Sequence, residues 1–207
     1  MTAQIDYFYT HLSPWAYLGH QEFLRIAENY DVTVTFRPVN LAVLFPLTGG
    51  LPLGKRHPAR QKYRFIELQR WAEKRGVSMN YKPAHFLADI ALADSIAIRL
   101  QEQGGPVGTY SQKVFEAVWQ KDLNAADENV LTAILNELGL DADNLIAAGK
   151  SDEMLEAYTV NSRMAETANA VGSPTYLLNS EPFWGQDRLD LLEDALKSGR
   201  GPYQSLE

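Results

Sequence analysis

The chain contains no cysteine. That absence excludes disulfide exchange, catalysis by a thiolate of the protein itself, and structural cysteine-zinc sites. Any sulfur nucleophile must therefore arrive on a ligand. Histidine is scarce as well: His11, His20, His57 and His85 show no HxxxH spacing and no carboxylate pattern of a metal motif, so no metal is expected. No apolar run approaches the length of a membrane span. Basic residues are outnumbered, 19 Lys and Arg against 26 Asp and Glu, for a net charge of −7. A general nucleic-acid role is thereby disfavoured, because phosphate contacts need clustered cations. The first residues, Met1 to Asp6, offer neither a basic flank nor a long apolar stretch. A secretory signal is therefore not expected, and a cytoplasmic location is.

What is present is an α/β pattern. Ile5 to Tyr9 is β-branched and aromatic and reads as a strand. Trp15, Leu18, Phe23, Leu24, Ile26 and Ala27 then recur at helical spacing. Val32 to Arg37 alternates as a second strand, parallel to the first. From Leu41 to Pro58 the chain carries Pro46, Gly49, Gly50, Pro52 and Gly54, a composition that predicts a loop. A helix follows from about 59 to 75, then helical segments near 88–103, 107–120, 128–138, 142–148 and 152–170. Gly172-Ser173-Pro174-Thr175 introduces a hairpin with strands near 175–178 and 182–184, and a last helix near 188–197. Strand, helix, strand, helical insert, hairpin and helix make a thioredoxin-like order. Residues 1–58 and 172–207 form the thioredoxin-like domain, and residues 59–171 a large all-helical insertion. The Ser173-Pro174 bond is expected to be cis.

The junction of the first strand and helix carries the chemistry. Ser13 stands at the N-cap, and Pro14 occupies the first helical position, where its missing N–H costs nothing. A hydroxyl, free backbone N–H groups and the positive end of a helix dipole meet there, so an anion or thiolate would be stabilised. Taken alone, Ser-Pro is also simply a good helix start.

A set of segments spread over nearly the whole chain makes the resemblance specific. These are Tyr7-Phe8-Tyr9 leading to Leu12-Ser13-Pro14, Leu68 to Ala72, Ala117-Val118-Trp119, Gly172 to Thr175, and Phe183 to Leu189. Together they resemble the 2-hydroxychromene-2-carboxylate isomerases, within the group that also holds kappa-class glutathione transferases and DsbA-type oxidoreductases. Ser13-Pro14-Trp15-Ala16 stands where the disulfide oxidoreductases have Cys-Pro-x-Cys. The resemblance implies a DsbA-like thioredoxin fold and glutathione as cofactor. It implies that the glutathione thiol lies at Ser13, its cysteinyl backbone beside Ser173 and Pro174, and its γ-glutamyl end near Gln186, Asp187 and Arg188. Arg60 is placed for the glycyl carboxylate, with Lys62 as a nearby substitute. His11, Trp15 and Trp184 are candidates for the substrate pocket. The activity implied is glutathione-dependent cis/trans isomerisation of 2-hydroxychromene-2-carboxylate, or of a related conjugated carbonyl compound from aromatic degradation, and relatives commonly form homodimers. Two positions depart from the pattern: Thr10 or His11 stands where relatives carry an acidic residue, and Gly49-Gly50 where they have an Asn turn.

The same residues leave other readings. A kappa-like glutathione transferase would use the same thiolate and release a conjugate. A non-catalytic thioredoxin-like module would grip extended peptides beside Pro174. In an extended segment His11 and Ser13 would face one side, as in a serine nucleophile with a histidine base. Yet no G-x-S-x-G elbow surrounds Ser13, and Pro14 removes an N–H useful for an oxyanion hole. Trp71, Trp119 and Trp184 fit core or interface positions, and Asp187-Arg188 fits the capping charges of the last helix.

Overall fold

The computed structural model describes residues 2–206. Four strands, β1 (Gln4–Tyr9), β2 (Thr33–Pro38), β3 (Thr175–Leu178) and β4 (Glu181–Trp184), form one sheet in the order β2-β1-β3-β4. β2 runs parallel to β1 with Tyr7 opposite Phe36, and β3 runs antiparallel with Tyr176 opposite Tyr7. The hairpin partner β4 sets Phe183 opposite Tyr176. Because side chains alternate along a strand, Ile5, Tyr7 and Tyr9 enter the larger core while Phe8 points to the opposite face. On the first face Tyr7 stacks on Tyr9 at 4.5 Å and on Tyr176 at 5.1 Å between ring centroids.

Helix α1 (Pro14–Asn29) follows β1, and its buried side chains, among them Leu18, Phe23 and Ile26, join the tyrosine side of the core. α3 (Pro58–Arg75), α5 (Val107–Trp119) and α9 (Leu189–Ser198) all pack on α1. The other face, around Phe8, is covered by Leu44 of α2 (Leu41–Thr48) and Ala165 of α8 (Asp152–Thr167). α4 (Ala91–Glu102) packs on β2, α7 (Ala142–Gly149) and α8, and α6 (Glu128–Glu137) on α5 and α7. One cluster of buried residues runs from Ile5 and Phe23 through Trp119 to Leu145 and Leu192.

The expected loop at 41–58 is partly helical. Asn40 Oδ1 accepts from the Ala42 N–H at 2.9 Å, which starts α2, and Gly49 ends it at φ +76°. Pro46 lies inside this helix and forfeits one intrahelical hydrogen bond. Burial of Leu44 against Phe8 offsets that cost, a tertiary contact that local composition does not report. The helix expected from 88 begins instead at Ala91, where Asp89 Oδ1 accepts from the Ala91 N–H at 3.0 Å. The helix expected to reach 170 stops at Thr167, before Asn169 turns left-handed at φ +55°.

Candidate active site

Ser13 caps α1 as its sequence predicts, its Oγ accepting from the Ala16 N–H at 3.2 Å. The same hydroxyl donates to the Ser173 carbonyl at 3.0 Å. Pro14 has no N–H, and among the described residues the Trp15 N–H has no backbone partner, so the first free amide of the helix is a donor without an acceptor. The Ser173-Pro174 peptide is cis. Ser173 Oγ accepts from the Thr10 N–H at 3.1 Å, and Pro174 O accepts from the Gly185 N–H at 2.9 Å. The end of β1, the start of β3 and the loop after β4 are thereby tied around Ser13.

Two cavities meet at this point, each of about 550 Å³. The first is the more polar of the two, with walls that include Arg56, Arg60, Arg64, Glu67, Gln186, Asp187 and Arg188. The second is largely apolar, with Leu12, Pro14, Phe45, Leu53, Phe86 and Ile90 in its wall, and Ser13, Thr10 and Tyr158 as polar points. Trp15, Arg56, Arg64, Ser173 and Trp184 belong to both walls. The structure therefore brings Arg60, Ser173, Gln186, Asp187 and Arg188 to the polar cavity, Ser13 to the apolar one, and both tryptophans to the partition. Pro174 is buried behind the wall, and Lys62 is exposed and outside it.

Gln186 is almost fully buried in the short 3-10 turn Gln186–Arg188. Arg75 at the end of α3 holds it, donating to Gln186 O at 3.1 Å and to Oε1 at 3.3 Å. Gly19 makes the approach possible, since a Cβ there would stand 2.6 Å from Gln186 Cβ. Asp187 and Arg188 pair with each other at 2.7 Å in the open wall of the polar cavity.

His11 lines neither cavity. A turn closed by the Ser13 N–H donating to Thr10 O at 3.0 Å breaks the extended alternation that would put His11 and Ser13 on one side. Thr10 and Leu12 consequently face the apolar cavity and His11 faces the core, where it is fully buried. Its Nδ1 lies 2.5 Å from Asp94 Oδ1. Asp94, also fully buried, accepts from Thr10 Oγ1 at 3.1 Å and from Tyr158 Oη at 2.9 Å. A carboxylate thus stands against residues 10 and 11 after all, delivered by α4 rather than by the strand. Tyr158, held by burial and by this carboxylate well above the ordinary phenol pKa, stays protonated and donates to it.

Sequence reasoning missed Arg56, Arg64, Arg75, Asp94 and Tyr158. Arg60 and Arg64 stand four residues apart, on one face of α3, with Arg56 four residues earlier in the segment that enters it, and that signal was available. Arg64 is half-buried; withdrawal from water and the nearby Arg56 charge lower its pKa to about 10.

A thioredoxin-type sheet, a serine-capped helix facing a cis-proline and a helical insert define a class. The model of the DSBA-like thioredoxin domain matches residues 4–197, and the chain belongs to that family. Within it, the chain is 28% identical over 194 residues to a 2-hydroxychromene-2-carboxylate isomerase of Pseudomonas putida, covering 93% of each chain. It is 26% identical over 197 residues to the 2-hydroxychromene-2-carboxylate isomerase of Sphingobium xenophagum, covering 95% of this chain and 99% of that one. A solved 2-hydroxychromene-2-carboxylate isomerase superposes with a TM-score of 0.81 at 26% identity, covering 94% of this chain and 95% of the other. Among the described residues no helix is long and apolar enough to cross a membrane.

Proposed function

We propose that this protein is a glutathione-dependent isomerase of 2-hydroxychromene-2-carboxylate or a related conjugated carbonyl compound from aromatic degradation. The observation that carries this reading is the position of Ser13: a hydroxyl at a helix N-terminus, opposite Ser173, where a cation-lined polar cavity opens into an apolar one. The names of the relatives at 26 to 28% identity support the same reaction class.

The polar cavity suits glutathione by its inventory. Arg60 is available for the glycyl carboxylate, while Gln186, Asp187 and Arg188 offer acceptors and donors for the γ-glutamyl end. Among the described residues the Ser173 N–H has no partner within the chain, and the Ser173 carbonyl keeps a second lone pair beside the one Ser13 uses, so both can pair with a peptide backbone. When bound, glutathione supplies a thiolate that adds reversibly to a conjugated carbonyl compound, frees a double bond to rotate, and is recovered unchanged. The chain's part is to favour negative charge on sulfur. The Trp15 N–H and the Ser13 hydroxyl, rotated away from Ser173, donate to it, and the α1 dipole adds to their effect. Trp15, Phe45 and Phe86 form flat apolar walls that hold a planar substrate and displace water.

The test is to incubate the protein with 2-hydroxychromene-2-carboxylate, with and without glutathione, and to follow both product and free thiol. Conversion only with glutathione, and with the thiol fully recovered, is expected. Thiol consumed in step with product would make the protein a transferase, and no conversion would overturn the reading.

A further inference from the structure

We propose that Arg64, with Arg56 beside it, is the anion anchor of the apolar cavity and restricts it to planar conjugated compounds bearing a carboxylate. This rests on the reading that the apolar cavity receives the substrate. The chain is rich in carboxylates, and most of its arginines elsewhere are paired, among them Arg25 with Glu22, Arg37 with Asp6, Arg99 with Glu102 and Arg200 with Glu181, while Arg60 and Arg163, which form no ion pair among the described residues, are exposed. Arg64 is half-buried, yet among the described residues it makes no ion pair and no hydrogen bond to the protein. Its guanidinium instead lies 5.6 Å from the Phe65 ring centroid and 5.4 Å from that of Phe86. Among the described residues the Arg56 guanidinium has only the Leu51 carbonyl, at 2.7 Å from its Nε, and the Phe45 face, at 5.8 Å from the ring centroid.

The acids nearby are engaged elsewhere. Asp89, in the apolar wall, caps the Ala91 N–H; Glu67 pairs with Arg70, and Asp187 with Arg188. Two neighbouring cations drawn partly out of water without a counter-ion are costly to the free protein, and an anion that enters the cavity relieves that cost. A guanidinium fork fits a carboxylate with two parallel hydrogen bonds, and the phenyl faces behind Arg64 hold the fork in place. Position distinguishes Arg64 and Arg56 from Arg60. Arg60 lines the polar cavity alone, whereas Arg64 and Arg56 line both, and Phe86 and Phe45, on which they rest, line only the apolar one.

The test is calorimetric and needs no turnover. 2-Naphthoate and naphthalene-2-carboxamide, alike in shape and different in charge, are titrated into the full chain and into Arg64→Gln and Arg64→Lys. The wild type is expected to prefer the carboxylate by about tenfold or more. Arg64→Gln should remove that preference while leaving carboxamide affinity within about twofold, and Arg64→Lys should keep part of it. Melting temperatures of both variants check that each is folded. Equal affinities in the wild type, no naphthoate binding, or a carboxylate preference that survives in folded Arg64→Gln would overturn the proposal. A carboxylate preference without isomerisation would leave this inference standing and sink the isomerase reading.

Discussion

Ser13 uses its hydroxyl in two directions, accepting from Ala16 to start α1 and donating to Ser173 across the site. The first role is structural and the second is free to change partner when a ligand sulfur arrives. A hydrogen bond to a charged group is worth about 1.5–3 kcal/mol, so Ser13→Ala should lower the glutathione-dependent rate by about 10- to 100-fold. The lost cap costs only about 1 kcal/mol of stability, so the fold should persist. Steady-state rates beside a thermal melt check this, and an unchanged rate in a folded Ser13→Ala protein would remove the serine from the mechanism. The residue itself was legible because the strand ends and the helical spacing begins around it. The direction of His11 was not, because the turn at residues 10–13 reverses an alternation that the sequence suggests.

Among the elements, the buried carboxylate of Asp94 fastens α4 to the end of β1 through Thr10 and His11, and to α8 through Tyr158. Asp94→Ala would leave the His11 ring, the Thr10 hydroxyl and the Tyr158 hydroxyl without their acceptor inside the core. Breaking a buried pair of this kind costs about 3–5 kcal/mol. For a chain of this size that corresponds to a fall in melting temperature of about 10 °C. A calorimetric scan measures it, and a shift of about 1 °C would show that the network is not holding these elements together. The strands and most helices were legible from periodicity, down to the Ser-Pro-Thr entry into β3. α2 was not, since Pro46 and the glycines after it read as a loop and only the packing of Leu44 makes the segment helical. Asp94 was equally hidden, an acid within an apolar helix whose partners lie 64 to 84 residues away in sequence.

At the scale of the whole molecule, the fold places one histidine where it resists protonation. His20 is fully buried, with Nε2 2.9 Å from the Gly108 carbonyl. Burial lowers its pKa from 6.5 to about 4, only partly opposed by that hydrogen bond, and the nearby His11 lowers it further. The unfolded chain therefore binds this proton first as pH falls. The stability His20 contributes is complete above about pH 6.5 and is lost progressively toward pH 4, by up to about 3 kcal/mol. Urea midpoints at pH 7 and pH 5 should converge more closely for His20→Gln than for the wild type; an equal fall in both would contradict this assignment.

The whole molecule also carries an uneven field. Its net charge is −7, yet the lining of the polar cavity holds four arginines, Arg56, Arg60, Arg64 and Arg188, against two acids, Glu67 and Asp187. That contrast was only partly legible: the sequence displays the four-residue spacing of the arginines, but only the fold shows that Arg56 and Arg64 line the cavity that Ser13 also borders. Calorimetric titration of glutathione, followed by the ultraviolet thiolate difference spectrum of the complex across pH, tests most directly whether Ser13 activates a ligand thiol. Binding with the thiol pKa drawn below its usual value of about 8.5, and returned toward it in Ser13→Ala, is the predicted result. No binding, or a bound thiol with an unshifted pKa, would contradict the claim that this helix terminus activates a ligand sulfur.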